Sequence, residues 1–513
     1  MTLLLSLCNL VDNAAQLPAI STATGADIGM LRFVITFFLG FPIAFLERIL
    51  IVNYKIRQSE QELASNLHLK KIHNLLHGLL GFFFLYYNFR EDCLYVYFSI
   101  VVNYFIIWIN RICTKTLRIP FSSTIFTIIS WVFQIGFYLY GINKAYGDSL
   151  EYKINWLMPG CVMLLKNLAL FTDCSDGLLP DEKIKPDRKD AVIRDYPDPL
   201  ELIGFTTLYT SVMIGPQMTL SHYRKFVDCI YIKNYGEKFH MDTLKIAVIK
   251  LLFGTLLVAF FQINAHIHDD TLWNSEKGEF YQWPFMKKVI FITIYGNCKY
   301  LRYMSFWNLV ESGIILSGAS TVYEKIHRTD KEKTYHNYNQ TNANIVAIFK
   351  GVKMNDYIAH YNINTNKWCF VYLFKRLAFL GNKDLSQLIT LMFLATWHGT
   401  WMGYYSAFFY EFCVINTEKS LASAGYLQDH WIAPADYKGN KMVYFVRGTL
   451  QKVFWFGLHS GYCMIDFSLL DFKVYWPVYK SIYFYGHIVL ALSWIVILAF
   501  GKKKKIGQEK KDN

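Results

Sequence analysis

Thr396-Trp397-His398-Gly399-Thr400-Trp401-Met402-Gly403-Tyr404-Tyr405 lies inside an apolar run, about Leu385–Val414, that is long enough to cross a bilayer. A histidine in hydrocarbon is costly and faces protein or water rather than lipid. Gly399 and Gly403 are four residues apart. On a continuous helix that spacing puts both on one face and leaves a groove of exposed backbone. The stretch therefore offers a titratable imidazole in a membrane helix, beside a place where another chain or a ligand can come close. The plainer alternative is a small-xxx-small packing face with an incidental histidine.

Composition widens the membrane reading to the whole chain. Of 513 residues, 53% are apolar and only 18% charged, against about a quarter charged in soluble proteins. Aromatics reach 18%, and such residues favour bilayer interfaces and the walls of apolar pockets. The expected fold is all-α and polytopic, with roughly eleven transmembrane helices in one membrane unit. The ten cysteines are scattered and form no C-x-x-C pair. That argues against a zinc site or a disulfide framework, and no metal is expected. Part of the net charge of +13 sits in the tail 502–513, with six lysines against Glu509 and Asp512. Its end, Lys510-Lys511-Asp512-Asn513, resembles the dilysine signal that returns membrane proteins to the endoplasmic reticulum. The expectation is a multi-pass protein of that membrane with a cytosolic C-terminus, since basic residues gather on the cytosolic side. The chain divides into a lumenal segment 1–27, a membrane domain 28–500 and the tail 501–513.

Taken in order, spans are expected at about Ile28–Val52, Leu75–Tyr87, Tyr95–Asn110, Phe121–Ile142 and Ile154–Phe171. The next run, Leu202–Pro216, is short and holds Gly204, Gly215 and Pro216, so it reads as a broken or re-entrant helix. Leu244–Ile263 is a further span. His266-Ile267-His268-Asp269-Asp270 follows; a wet loop explains it as well as a metal site does. Val289–Leu316 carries Asn297, Lys299, Arg302, Asn308 and Glu311, polar groups suited to lining a wet or substrate-filled cavity. After the His398 run comes a polar stretch, Glu418–Lys441, and then two spans, Met442–Leu470 and Val478–Phe500. His77, His459 and His487 also fall in apolar runs and read as hydrogen-bonded structural histidines. Glu411, thirteen residues after His398, suits either a nearby cation or a membrane edge.

A second polar stretch is Tyr361-Asn362-Ile363-Asn364-Thr365-Asn366-Lys367-Trp368. Its three carboxamides are poor helix formers and good donors to a carbonyl, though an Asn-rich cap or turn explains them too. Lys375-Arg376 follow beside apolar residues, placed either by the positive-inside rule or to meet a phosphate such as that of coenzyme A. Trp397-His398-Gly399, three residues, Gly403-Tyr404, three residues, Phe408 match the signature W-H-G-x3-G-Y-x3-F. With the Asn-Ile-Asn-Thr-Asn-x-Trp core, Phe374-Lys375-Arg376-Leu377 and Ile214-Gly215-Pro216-Gln217, the chain resembles the membrane-bound O-acyltransferases, in their lysophospholipid acyltransferase branch.

The resemblance implies that His398 and Asn362 are the functional pair and meet in a central reaction chamber. Acyl-CoA would enter as co-substrate, with no resident cofactor, and a lysophospholipid from the bilayer as acceptor. The acceptor expected is lysophosphatidylcholine or its ethanolamine and serine counterparts, and the acyl chain polyunsaturated. Lys375 and Arg376 would contact acyl-CoA. Acyl transfer to an alcohol needs a base and a donor for the developing oxyanion. A histidine of ordinary pKa about 6.5 suits the first task and a carboxamide the second. The rivals are a covalent acyl-enzyme on Ser406 or Cys369, a protein, sterol or diacylglycerol acceptor, and a membrane transporter. Nothing in the chain points to nucleic acid.

Overall fold

The computed structural model describes residues 2–56, 67–147, 154–230, 241–263, 272, 278–326, 333–338, 340–434 and 436–500. The His266–Asp270 stretch and the lysine-rich tail lie outside the described residues. Two compact units emerge. One comprises Met1–Phe260, Tyr303–Asn342 and Lys367–Arg376; the other comprises Phe261–Arg302, Ala343–Asn366 and Leu377–Asn513. Helices make up nearly everything described. The polar segment near residue 330 adds an antiparallel strand pair, Thr321–Ile326 with Lys333–Tyr338.

Five described helical segments are long and apolar enough to cross a membrane: Ile28–Lys55, Leu67–Thr116, Ser122–Tyr146, Leu157–Asp176 and Thr243–Ile263. The number rises to seven if two bent pairs, Leu3–Ala14 with Leu17–Thr24 and Phe472–Ser481 with Tyr485–Ala499, each count as one span. Residues 1–27, expected outside the membrane, hold the first bent pair. Its one acid, Asp12, is paired with Arg32 (2.7 Å) and accepts from the Tyr87 hydroxyl (2.8 Å), so little unpaired charge opposes burial.

In the first unit the run around Gly204 is broken, as its glycines and proline imply. The helix Pro199–Thr206 starts at Asp198, whose side chain accepts from Leu200 and Glu201 amides. It ends at Thr207, and a turn-rich stretch leads to a second short helix, Leu220–Val227. Leu208, Tyr209, Val212 and Met213 in that stretch are buried in protein, the condition under which irregular backbone survives at membrane depth. The buried Lys166 ammonium satisfies the broken end, donating to the carbonyls of Phe205 (3.1 Å) and Thr206 (3.4 Å).

Two expectations are corrected by partners. Glu311 and Asn308 do not line a cavity. Glu311 is fully buried, paired with Lys250, and accepts from the Asn342 amide (2.6 Å) and Thr341 hydroxyl (2.8 Å), while Asn308 donates to Met304 O (2.7 Å). The polar stretch does not begin at Glu418. That residue lies inside the helix Met402–Ser423 and is buried, because its carboxylate has three donors to satisfy it.

Candidate active site

His398 ends its helix rather than sitting in the middle of one. The helix Lys383–His398 begins at Asn382, whose side chain accepts from the Leu385 amide, and stops at Gly399. There φ is +151°, a conformation that favours glycine, and a Cβ would press on the Tyr404 ring at 3.0 Å. The next helix starts at Met402. The single span expected over Leu385–Val414 is therefore two helices joined by a tight turn. Gly399 and Gly403 do not share a helical face, because Gly399 is the break itself.

That break folds the second helix back so that its first turns cover the imidazole. Tyr404 and Phe408, one turn apart, place their ring centres 5.5 and 5.6 Å from that of His398. Phe467, from the helix Leu458–Leu469, closes the third side at 5.0 Å, edge to face. Gly403 lets this third helix come close. Its amide donates to Leu470 O (2.9 Å), and a Cβ would stand 2.2 Å from Asp466 O. Among the described residues neither ring nitrogen of His398 is hydrogen-bonded, and the side chain is only half-buried. Packing thus orients the ring while its nitrogens stay free for a ligand. Phe467 stands 69 positions after His398, and no motif announces it.

Asn362 is built differently. It takes φ +49°, a left-handed conformation that asparagine tolerates better than most residues, and precedes the helix Ile363–Cys369. Its carbonyl accepts from the Asn366 amide (3.0 Å), and the Asn366 side chain donates to Ile358 O (2.8 Å) and Tyr361 O (2.9 Å). One asparagine of the motif therefore holds the turn, while the half-buried carboxamide of Asn362 has no partner among the described residues. The approach to Asn362 is pinned from both sides. Glu418 accepts from the Met354 (2.6 Å) and Asn355 (3.0 Å) amides at the start of the helix Met354–His360. Lys452 donates to the carbonyls of Ile348, Phe349 and Gly351 at the end of the preceding helix, Ile345–Lys350.

His398 and Asn362 belong to the same compact unit. Phe467, on the imidazole, and Tyr361, next to Asn362, pack against one hydrophobic cluster that includes Tyr300, Tyr357, Ala407 and Tyr462. Lys375 and Arg376 belong to the other unit, and both carry ion pairs. Lys375 Nζ donates to Asp187 (2.7 Å), and Arg376 grips Asp176 through two nitrogens (2.6 and 3.3 Å). The three other histidines singled out in apolar runs have phenol partners on Nδ1: His77 with Tyr223 (2.8 Å), His459 with Tyr410 and His487 with Tyr462 (both 2.6 Å). The two rival nucleophiles are placed otherwise. Ser406 lies beside Asp466 and Tyr475, and Cys369 is buried in the first unit.

The membrane-bound O-acyltransferase profile (MBOAT) matches residues 144–424, which take in both His398 and Asn362. The chain belongs to this family. Lysophospholipid acyltransferase 5 of Mus musculus is 30% identical over 497 residues, 97% of this chain and 94% of that protein. The Homo sapiens protein of the same name is 30% identical with the same coverage, and that of Drosophila melanogaster 27% over 92% of this chain and 88% of its own. In this MBOAT chain the free imidazole and the free carboxamide both fall inside the matched span.

Proposed function

We propose that the protein transfers a fatty acyl group, polyunsaturated by preference, from acyl-CoA to the free sn-2 hydroxyl of a lysophospholipid such as lysophosphatidylcholine. One observation carries the reading: in one unit of a membrane O-acyltransferase, a half-buried imidazole and a half-buried carboxamide have no hydrogen-bond partner among the described residues. Polar groups at such a site cost free energy unless a ligand meets them. The relatives, named for acyl transfer to lysophospholipids along nearly their whole length, support the acceptor class.

In this mechanism His398 takes the proton as the acceptor hydroxyl attacks the thioester carbonyl, a contribution of roughly 10²–10⁴-fold. Asn362 donates to the oxygen that becomes negative, where one such donor supplies about 3–4 kcal/mol. The tetrahedral intermediate then expels the CoA sulfur, which takes the proton back from the imidazolium. The products are a diacyl phospholipid and CoA thiol. Ser406, beside Asp466, has no role in this direct attack. Lys375 and Arg376 are the proposed cations for a CoA phosphate, which then has to compete with Asp187 and Asp176. Residence in the endoplasmic reticulum membrane with a cytosolic C-terminus completes the reading and rests on the lysine-rich tail alone.

The test is labelled arachidonoyl- or linoleoyl-CoA with a panel of lysophospholipids and purified protein in liposomes. Wild type forms phospholipid, and His398→Ala loses at least about 10²-fold while its melting temperature holds. Product formed equally by both proteins would remove His398 from the chemistry. No product with any lysolipid would move the acceptor to a protein, sterol or diacylglycerol.

A further inference from the structure

The helix Met402–Ser423 carries one ionisable group that neither the packing nor the mechanism uses. Glu411 is half-buried, and among the described residues it accepts no hydrogen bond and makes no ion pair. Helical geometry gives its direction. Spacings of four and three set Tyr404, Phe408 and Glu411 within one narrow stripe. The same stripe continues through the buried Ile415 and Glu418. The opposite face, with Met402 and Phe409, is exposed at 62% and 53%. Glu411 therefore points inward, one turn beyond the ring that covers His398.

On its far side Glu411 lies within electrostatic range of Tyr300. Tyr300, Tyr357 and Tyr361 form a mutual triangle of rings, with centres 4.8, 5.2 and 5.0 Å apart, and Tyr361 leads directly into Asn362. The buried Tyr357 hydroxyl has no hydrogen-bond partner among the described residues. His398 is in ring contact with Phe408, Glu411 stands one helical turn further along the same face, and Tyr300, within electrostatic range of it, is in ring contact with Tyr361, the neighbour of Asn362. A half-buried carboxylate near aromatic rings, with no partner among the described residues, is suited to a cation, and aromatic faces attract quaternary and primary ammonium groups.

We propose that Glu411, backed by Tyr300 and Tyr361, recognises the cationic head group of the acceptor, favouring choline and ethanolamine lysolipids over those with uncharged polyol heads. This rests on the acyl-transfer reading above and adds its head-group selectivity. Lys or Arg does not supply the cation, because none pairs with Glu411 among the described residues.

The experiment compares oleoyl lysophosphatidylcholine with oleoyl lysophosphatidylglycerol at saturating acyl-CoA, for wild type, Glu411→Gln and Tyr361→Leu. Glu411→Gln keeps the size and hydrogen-bonding shape and removes the charge. The expected result is a KM for the choline lipid raised at least about tenfold, which is about 1.4 kcal/mol of lost recognition. KM for acyl-CoA stays put, and the choline-over-glycerol preference falls by a similar factor. Phosphocholine should inhibit the wild type competitively against the acceptor, and glycerol phosphate should not. This second measurement stands even if a variant fails to fold. An unchanged choline preference in a folded Glu411→Gln, or equal inhibition by the two phosphates, would overturn the assignment while leaving acyl transfer intact. A wild type inert toward every lysolipid would overturn the acyl-transfer reading itself.

Discussion

Replacing Gly403 by alanine moves the walls around His398 without touching the histidine. A Cβ at Gly403 would stand 2.2 Å from Asp466 O, 2.7 Å from Leu470 O and 2.8 Å from Leu470 Cα. All three are backbone atoms at the end of one helix, so no side chain can swing aside. Ordinary contact begins near 3.4 Å, and relief therefore asks one helix to retreat by about 1.2 Å. The retreat also stretches the Gly403 N–H bond to Leu470 O from 2.9 Å. Overpacking of this kind costs about 1–3 kcal/mol, and a weakened hydrogen bond about 1 kcal/mol more. Tyr404 follows Gly403 and Phe467 follows Asp466, so the same shift separates two of the rings that orient the imidazole. A misplacement near 1 Å costs up to about 10²-fold in rate. The expected result for Gly403→Ala is a lower melting temperature and a kcat down about 10–100-fold, with KM for acyl-CoA little changed. Gly136→Ala is the control, because a Cβ there meets nothing within 4 Å on an ordinary helix. It should be neutral or stabilising by up to about 1 kcal/mol. Detergent-purified protein, melting curves and initial rates suffice. A Gly403→Ala enzyme with wild-type kcat and melting temperature would refute the close approach of these helices as the source of the site's geometry.

Asn362 separates chemistry from backbone. Both Asn362→Gly and Asn362→Ala should lose about 10²-fold in kcat, but only the alanine should also lose about 1 kcal/mol of stability, because φ is +49°; equal melting temperatures would contradict the left-handed assignment. Asp187, in the one-turn 3-10 helix Pro186–Arg188, is held below the usual carboxylate range by the Lys375 ammonium that donates to it. Its folded pKa lies below the unfolded value of about 3.9, so the pair's stabilisation is present above that value and lost as pH falls through the folded one. Asp187→Asn should flatten the decline of melting temperature below about pH 4, and by freeing Lys375 it should lower KM for acyl-CoA if that lysine meets the phosphate.

What the sequence made legible follows from how locally each feature is encoded. The W-H-G and Asn-rich motifs are short and contiguous, so His398 and Asn362 could be singled out directly. The broken run near Gly204 was readable too, since glycine and proline act through their own backbone. The aromatic wall was half readable: Tyr404 and Phe408 fall in the signature, whereas Phe467 arrives from a distant helix. Hydropathy misled where burial of charge is purchased by partners. Glu418 looks like a surface residue and Glu311 like a cavity-lining one until their donors, remote in sequence, are known. It misled again at Gly399, where an apolar window runs unbroken across a turn that only the backbone reveals.

In the proposed mechanism His398 would act without the acid that usually orients a catalytic imidazole. In a Ser-His-Asp arrangement the carboxylate fixes the tautomer and the ring direction through one nitrogen. Here no carboxylate is bonded to His398 among the described residues, and Trp397, Tyr404, Phe408 and Phe467 hold the ring by its faces and edges. Packing fixes orientation nearly as well, because interiors are dense and aromatic rings have few rotamers. It leaves both nitrogens available, one to take the acceptor's proton and the other to be met by water or substrate. Glu411 lies about a helical turn beyond Phe408 and, among the described residues, makes no hydrogen bond to the imidazole. A carboxylate against the ring would hold the imidazolium and oppose return of the proton to the departing CoA sulfur. Placed a turn away, the same charge is available to the acceptor's head group instead. Catalysis and recognition can then be separated by mutation: changes at His398 and the rings around it should act on kcat, and changes at Glu411 on KM for the acceptor.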